Sequence, residues 1–145
     1  MKIKLEIGYR LALFFATKAD ELIKKEKYIE AIDLLKDNIY ESNIYQLALL
    51  AYAYLKLGLQ DEKEEQENYI MALKYAQKVK KIHSEQNHDH DLKLKFGRKS
   101  MAYAQFVEGM VRFKLWNDTE NASKEYRRLL NTDPSLARIL NENMS

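Results

Sequence analysis

Apolar residues fill nearly every side of the stretch Ile44–Gly58, IYQLALLAYAYLKLG. Ile44, Leu47, Leu50, Ala51 and Tyr54 fall at helical spacing and make one stripe. Tyr45, Ala48, Tyr52 and Leu55 make a second stripe beside it. A surface helix needs one apolar face, so a helix with two is packed on both sides or carries a binding surface. Asn43 suits its N-cap. Gly58 stands where a left-handed residue would stop it.

The rest of the chain alternates helix and short break around this centre. Ile3 to Lys25 predicts a first helix, with Leu5, Tyr9, Ala12, Phe15, Ala19 and Leu22 three or four residues apart. After the polar break Lys24–Lys27, Tyr28 to Asn38 predicts a shorter helix with Tyr28, Ala31, Ile32 and Leu35 on one face. The charged run Gln60–Glu67 reads as a loop or as the exposed start of the next helix. That helix, Tyr69 to Ile82, turns Tyr69, Ala72, Leu73, Ala76, Val79 and Ile82 inward. HSEQNHDHD, from His83, has no periodicity, and about 83–92 reads as a flexible polar linker. Leu92, Leu94 and Phe96 resume the apolar pattern. Met101 to Trp116 and Thr119 to Asn131 form the next pair, punctuated by Asn117-Asp118. Asp133 as cap and Pro134 as first helical residue start a short terminal helix, Ser135 to Asn141.

Composition narrows the class. With 145 residues the chain is read as one domain, 1–145. One Pro and four Gly favour long uninterrupted helices over tight-turned sheets. The absence of Cys removes disulfides, thiolate nucleophiles and Cys-based zinc sites, and suits a cytoplasmic location. Charged residues are 32% of the chain but net charge is +2, so both signs coat the surface and no global field selects nucleic acid. The apolar run Leu11–Ala16 is too short for a signal peptide, with Glu6 and Arg10 breaking anything longer. No stretch reaches transmembrane length.

Three helix pairs call for a repeat search. Ala19 with Tyr28, Ala31 and Leu35 resembles the signature of tetratricopeptide repeats. A second copy has Leu47, Leu50, Ala51, Tyr54 and Gly58, then Tyr69, Ala72 and Ala76. A third has Gly109, then Ala122, Tyr126, Leu129 and Pro134. The repeats span about 8–41, 44–82 and 101–134. They are degenerate: Lys18 and Glu108 replace large apolar residues, and the second copy carries an insertion between Gly58 and Tyr69. The resemblance implies an all-α fold, a right-handed α-hairpin solenoid of about three such pairs plus a short C-terminal helix. Another α-hairpin solenoid or a plain helical bundle is the competing architecture.

In that family the first helix of each pair lines a concave groove. The register carried over places Leu13, Ala16, Asp20, Ile23 and Lys24 there from the first copy. Tyr45, Ala48, Tyr52, Leu55 and Lys56 come from the second, and Tyr103, Phe106, Met110, Phe113 and Lys114 from the third. Aromatics and Met anchor partners in desolvated pockets. The three terminal lysines would favour an acidic flank on the ligand. The expected function is a non-enzymatic adaptor or chaperone that binds an apolar or amphipathic protein segment. Alternatively the groove is covered by the Leu92–Phe96 segment, the terminal helix or a second copy in a homodimeric scaffold. The family's carboxylate-clamp positions fall on Ala16, Asp20, Leu49, Tyr103 and Val107, none of which fits that activity. The shape is similar to bacterial secretion chaperones of this class.

Other chemistry is thin. His83, His88 and His90 with Asp89 and Asp91 are the weak candidates for a metal, but no helical histidine pair preorganises them. Lys74, Lys78, Lys80, Lys81, Lys93, Lys95, Arg98 and Lys99 form a basic region that could touch phosphates, giving metal or nucleic-acid binding through 74–99 as a further alternative. No nucleotide, hydrolase or zincin motif occurs, and no cofactor is expected. Glu108 would be a perturbed carboxylate if truly buried, but is read as facing solvent or pairing with Arg112 one turn on.

Overall fold

The computed structural model describes residues 2–40, 43–61, 63–85 and 96–145. Among these residues there is no strand, and seven helices follow one another: α1 (Lys2–Lys24), α2 (Tyr28–Asp37), α3 (Ile44–Gln60), α4 (Glu65–Glu85), α5 (Arg98–Trp116), α6 (Thr119–Thr132) and α7 (Pro134–Met144). The described residues are therefore all-α, as the chain's periodicity predicts. The side chains of Leu5 and Tyr9, the spacer residues Glu41 and Ser42, and residues 86–95 lie outside the described set.

The starts of the helices follow their sequences. Asn43 Oδ1 accepts from Gln46 N at 2.9 Å and caps α3. Asp118 does the same for α6 through Asn121 N at 3.1 Å. Asp133 accepts from Ser135 N and Leu136 N at 3.0 and 3.2 Å, with Pro134 just inside α7. Between α5 and α6 Asn117 takes φ 50°, a left-handed value that asparagine tolerates better than most residues. The charged run after α3 resolves into both of its alternatives: α4 begins at Glu65, with Glu65 and Glu67 in its first turn where the helix dipole favours them. His83, Ser84 and Glu85 lie within α4 rather than in the linker expected over 83–92, and the rest of that stretch lies outside the described residues.

Each helix packs on its successor, and α1, α3, α5 and α7 also pack on one another in a row. One apolar cluster draws buried residues from all seven helices. The centre is α3, where eleven of 17 residues are buried; this is why it needs two stripes, since α1, α2, α4 and α5 surround it.

Gly58 corrects one expectation. It does not stop the helix, which runs on to Gln60, and no described glycine has positive φ. Its role is space: a Cβ there would meet the Tyr69 ring at 2.7 Å, so its absence lets α4 close on α3. Gly109 serves α5 similarly, where a Cβ would meet Leu140 Cδ2 at 2.7 Å and Glu125 Cβ at 3.2 Å.

Two polar devices sit inside this packing. Gln46 is fully buried in α3; its Nε2 donates to Ala12 O and Asn38 O at 3.2 and 3.1 Å, and its Oε1 accepts from Tyr40 N at 2.8 Å. One amide thus joins α1, the α2–α3 connection and α3. At the other end Lys80 of α4 donates to Glu108 Oε1 of α5 at 2.9 Å and to Glu125 Oε1 of α6 at 2.6 Å. Arg112 holds the second oxygen of Glu108 at 2.8 Å, and Arg128 reaches Glu125 at 2.6 Å. Of the two readings of Glu108, pairing with Arg112 holds. Burial would raise its pKa, but hydrogen bonds from Lys80 and Arg112 together hold the carboxyl below its ordinary range.

Candidate functional site

The helical spacing of α3 and α5 brings a row of aromatic rings together where these helices meet. Tyr52 of α3 lies 4.7 Å, centroid to centroid, from Tyr103 of α5 and 6.2 Å from Phe106. Tyr45, two turns before Tyr52, stacks on Phe96 at 4.9 Å. Ser100 Oγ donates to Phe96 O at 2.6 Å and fixes the entry to α5 that presents this ring. Two ammonium groups sit on these ring faces. Lys56 Nζ is 5.6 Å from the Tyr52 centroid. Lys99 Nζ is 5.5 Å from Tyr45 and 5.8 Å from Tyr103.

Electrostatics keep the tyrosines neutral. Burial pushes the Tyr103 hydroxyl far above the usual tyrosine range, and the negative charge of Asp20 on α1 adds to it. Tyr52 moves the same way, through burial first and then Tyr28 and Asp20. Asp20 is itself held by Lys24 Nζ at 3.1 Å, which raises the Lys24 pKa. The face therefore offers neutral phenol rings, one carboxylate already paired, and two lysines seated on ring faces.

The sequence-derived groove divides here. Ile23, Tyr45, Leu55, Phe106 and Met110 are buried, Phe106 at 2% and Met110 at 1% exposure, and belong to the core. α1 packs on α3 and α3 on α5, so residues on those two seams are enclosed in the core. Leu13, Tyr52, Lys56, Tyr103 and Phe113 are half-buried, while Lys24 and Lys114 are exposed. Ala16 and Ala48 are sealed, and they let the helices approach.

Phe96 and Lys99 were not among the expected groove residues. Their signal was present: Phe96, Lys99, Tyr103, Phe106, Met110 and Phe113 continue one helical spacing upstream of Met101. Phe96 also answers the alternative in which the Leu92–Phe96 segment covers the groove. Its ring does cover Tyr45, while residues 92–95 lie outside the described set.

His83 is half-buried near the end of α4; His88 and His90 lie outside the described residues, as do Asp89 and Asp91. Among the described residues no group of three or more His, Cys, Asp or Glu could hold a metal ion. The basic region is split, since Lys80 is turned to Glu108 and Glu125 while Lys99 lies over the tyrosines; Lys93 and Lys95 lie outside the described residues. Among the described residues no helix is long and apolar enough to cross a membrane.

Comparison with known proteins gave no matching family model, no matching curated protein and no matching solved structure.

Proposed function

We propose that the chain is a tetratricopeptide-like helical-repeat module, a non-enzymatic adaptor or chaperone that binds a protein segment on the Tyr52–Tyr103 face. The succession of contacts supports the repeat reading: every helix meets its successor, and alternate helices form a row. The observation that carries the binding reading is the half-buried Tyr52–Tyr103 pair, flanked by Lys56 and Lys99. Rings of this kind take an aromatic or aliphatic side chain against their free edges. The lysines can leave the ring faces to pair with a carboxylate, and that exchange favours an acidic residue beside the apolar one. The ligand is thus a short apolar segment with an acidic flank.

The test uses a synthetic peptide of alternating Phe, Leu, Asp and Glu, titrated into the labelled protein by NMR. Shift changes concentrate on Tyr52, Tyr103, Lys56 and Lys99, and Lys56→Glu with Lys99→Glu weakens binding about tenfold or more. Changes confined to another face, or an affinity indifferent to both reversals and to salt, would overturn the reading. Phe106 is unsuitable for such a test, because a charge at so buried a position unfolds the core.

A further inference from the structure

The outer flank of α1 carries a second surface, independent of the tyrosine face. Ala12, Ala16, Ala19 and Ile23 turn inward, toward α2 and α3. That leaves Leu11 and Phe14 at 42% and 52% exposure. Arg10, Leu13, Phe14, Thr17, Lys18 and Glu21 line a shallow groove along this flank. Arg10, Phe14, Thr17 and Glu21 recur at the four-three-four spacing of a coiled-coil seam. The seam has a cation at one end, an anion at the other and an aromatic between them. Lys18 Nζ lies 5.1 Å from the Phe14 centroid, so its stem borders the same apolar strip.

We propose that two copies of the chain pair through this seam, α1 antiparallel to α1, about a two-fold axis between positions 15 and 16. The charge pattern selects both the occupant and its direction. Antiparallel pairing sets Arg10 over Glu21 of the second copy, and Glu21 over its Arg10, with each Phe14 against Thr17 of the other. Parallel pairing would set like charge on like at both ends. A two-fold contact must be complementary to itself, and this seam is. Arg10 and Glu21 lie about 16 Å apart along the helix axis, so the contact is at the small end of specific interfaces and the pairing depends on concentration.

Sedimentation velocity of the full chain, from about 1 µM to about 1 mM, tests this. A monomer–dimer equilibrium is expected. Arg10→Glu and Glu21→Arg, each made alone, weaken it about tenfold, because each puts two like-charged contacts in place of two ion pairs. The double variant Arg10→Glu/Glu21→Arg restores it, and Phe14→Asp abolishes it. All three positions tested are exposed, and unchanged helicity by circular dichroism shows that the fold is kept. A monomer throughout the range overturns the proposal and leaves the flank to a different molecule. A dimer indifferent to both reversals, or a double variant no better than the singles, overturns it equally.

Discussion

Replacing Lys80 by Met tests how α4 is held against α5 and α6. The ammonium donates to two carboxylates on two different helices, at 2.9 and 2.6 Å. Methionine keeps the length of the stem and removes only the charge and its donors. A hydrogen bond to a charged group contributes about 1.5–3 kcal/mol. Two would set an upper figure near 6 kcal/mol, but three facts reduce it. Lys80 is 23% exposed, so water screens part of the interaction. Glu108 keeps Arg112, and Glu125 keeps Arg128. Against this, Glu125 is itself 2% exposed and its Oε2 has no hydrogen-bond partner among the described residues, so the loss leaves a buried carboxylate paired there with Arg128. The balance is a loss of about 2–4 kcal/mol. Urea unfolding followed by circular dichroism reads this as a midpoint lowered by about 1–2 M at unchanged slope. Adding Glu125→Leu to Lys80→Met should recover part of the loss, because the stranded carboxylate is its main source. A Lys80→Met variant within about 0.5 kcal/mol of the parent would refute the reasoning, as would a Glu125→Leu that deepens the loss.

Gly58→Ala should destabilise by about 1–2 kcal/mol, although alanine is the better helix former, because the new methyl meets the buried Tyr69 ring. Gly109→Ala should cost less, since a Leu140 methyl can rotate away, and thermal melts of the two variants compare them. Gln46→Leu removes the partners of Tyr40 N and Asn38 O at a cost of about 2–4 kcal/mol, and amide exchange at Tyr40 should accelerate. Stability should fall at both ends of the pH scale. The Glu108 carboxyl is lowered from 4.5, so its contribution is present above that value and is lost as pH drops below it. The Tyr52 and Tyr103 hydroxyls are raised from 10.0, so theirs is present below that value and is lost as pH climbs above it. Helicity and tyrosinate absorbance, followed together across pH, check both limbs.

Much of the helical architecture was legible in local pattern. The doubled stripe of α3, the Asn43 and Asp133 caps and the Asp133-Pro134 restart all act within one or two turns, so their physics is written in neighbouring letters. The tyrosine face was partly legible for the same reason: Tyr52 and Tyr103 each stand on a readable helical row. Its upstream end was missed because the row was started at Met101, five residues after Phe96 had begun it.

What the sequence by itself determined is where helices form and which of their faces are apolar, because both depend on spacing along one chain. Which apolar residues remain available was decided only by packing. Phe106 and Tyr103 stand three residues apart on one row and both meet Tyr52 of α3, yet Phe106 is sealed in the core while Tyr103 stays half-buried. The same holds for charge. Nothing in the local pattern distinguishes Glu125 from the solvated acids around it. Its burial comes from Lys80, 45 residues away in sequence, and from the close approach that Gly109 allows between α5 and α6. Burial and ion pairing between distant residues are properties of the assembled helices, so only the tertiary structure could assign them.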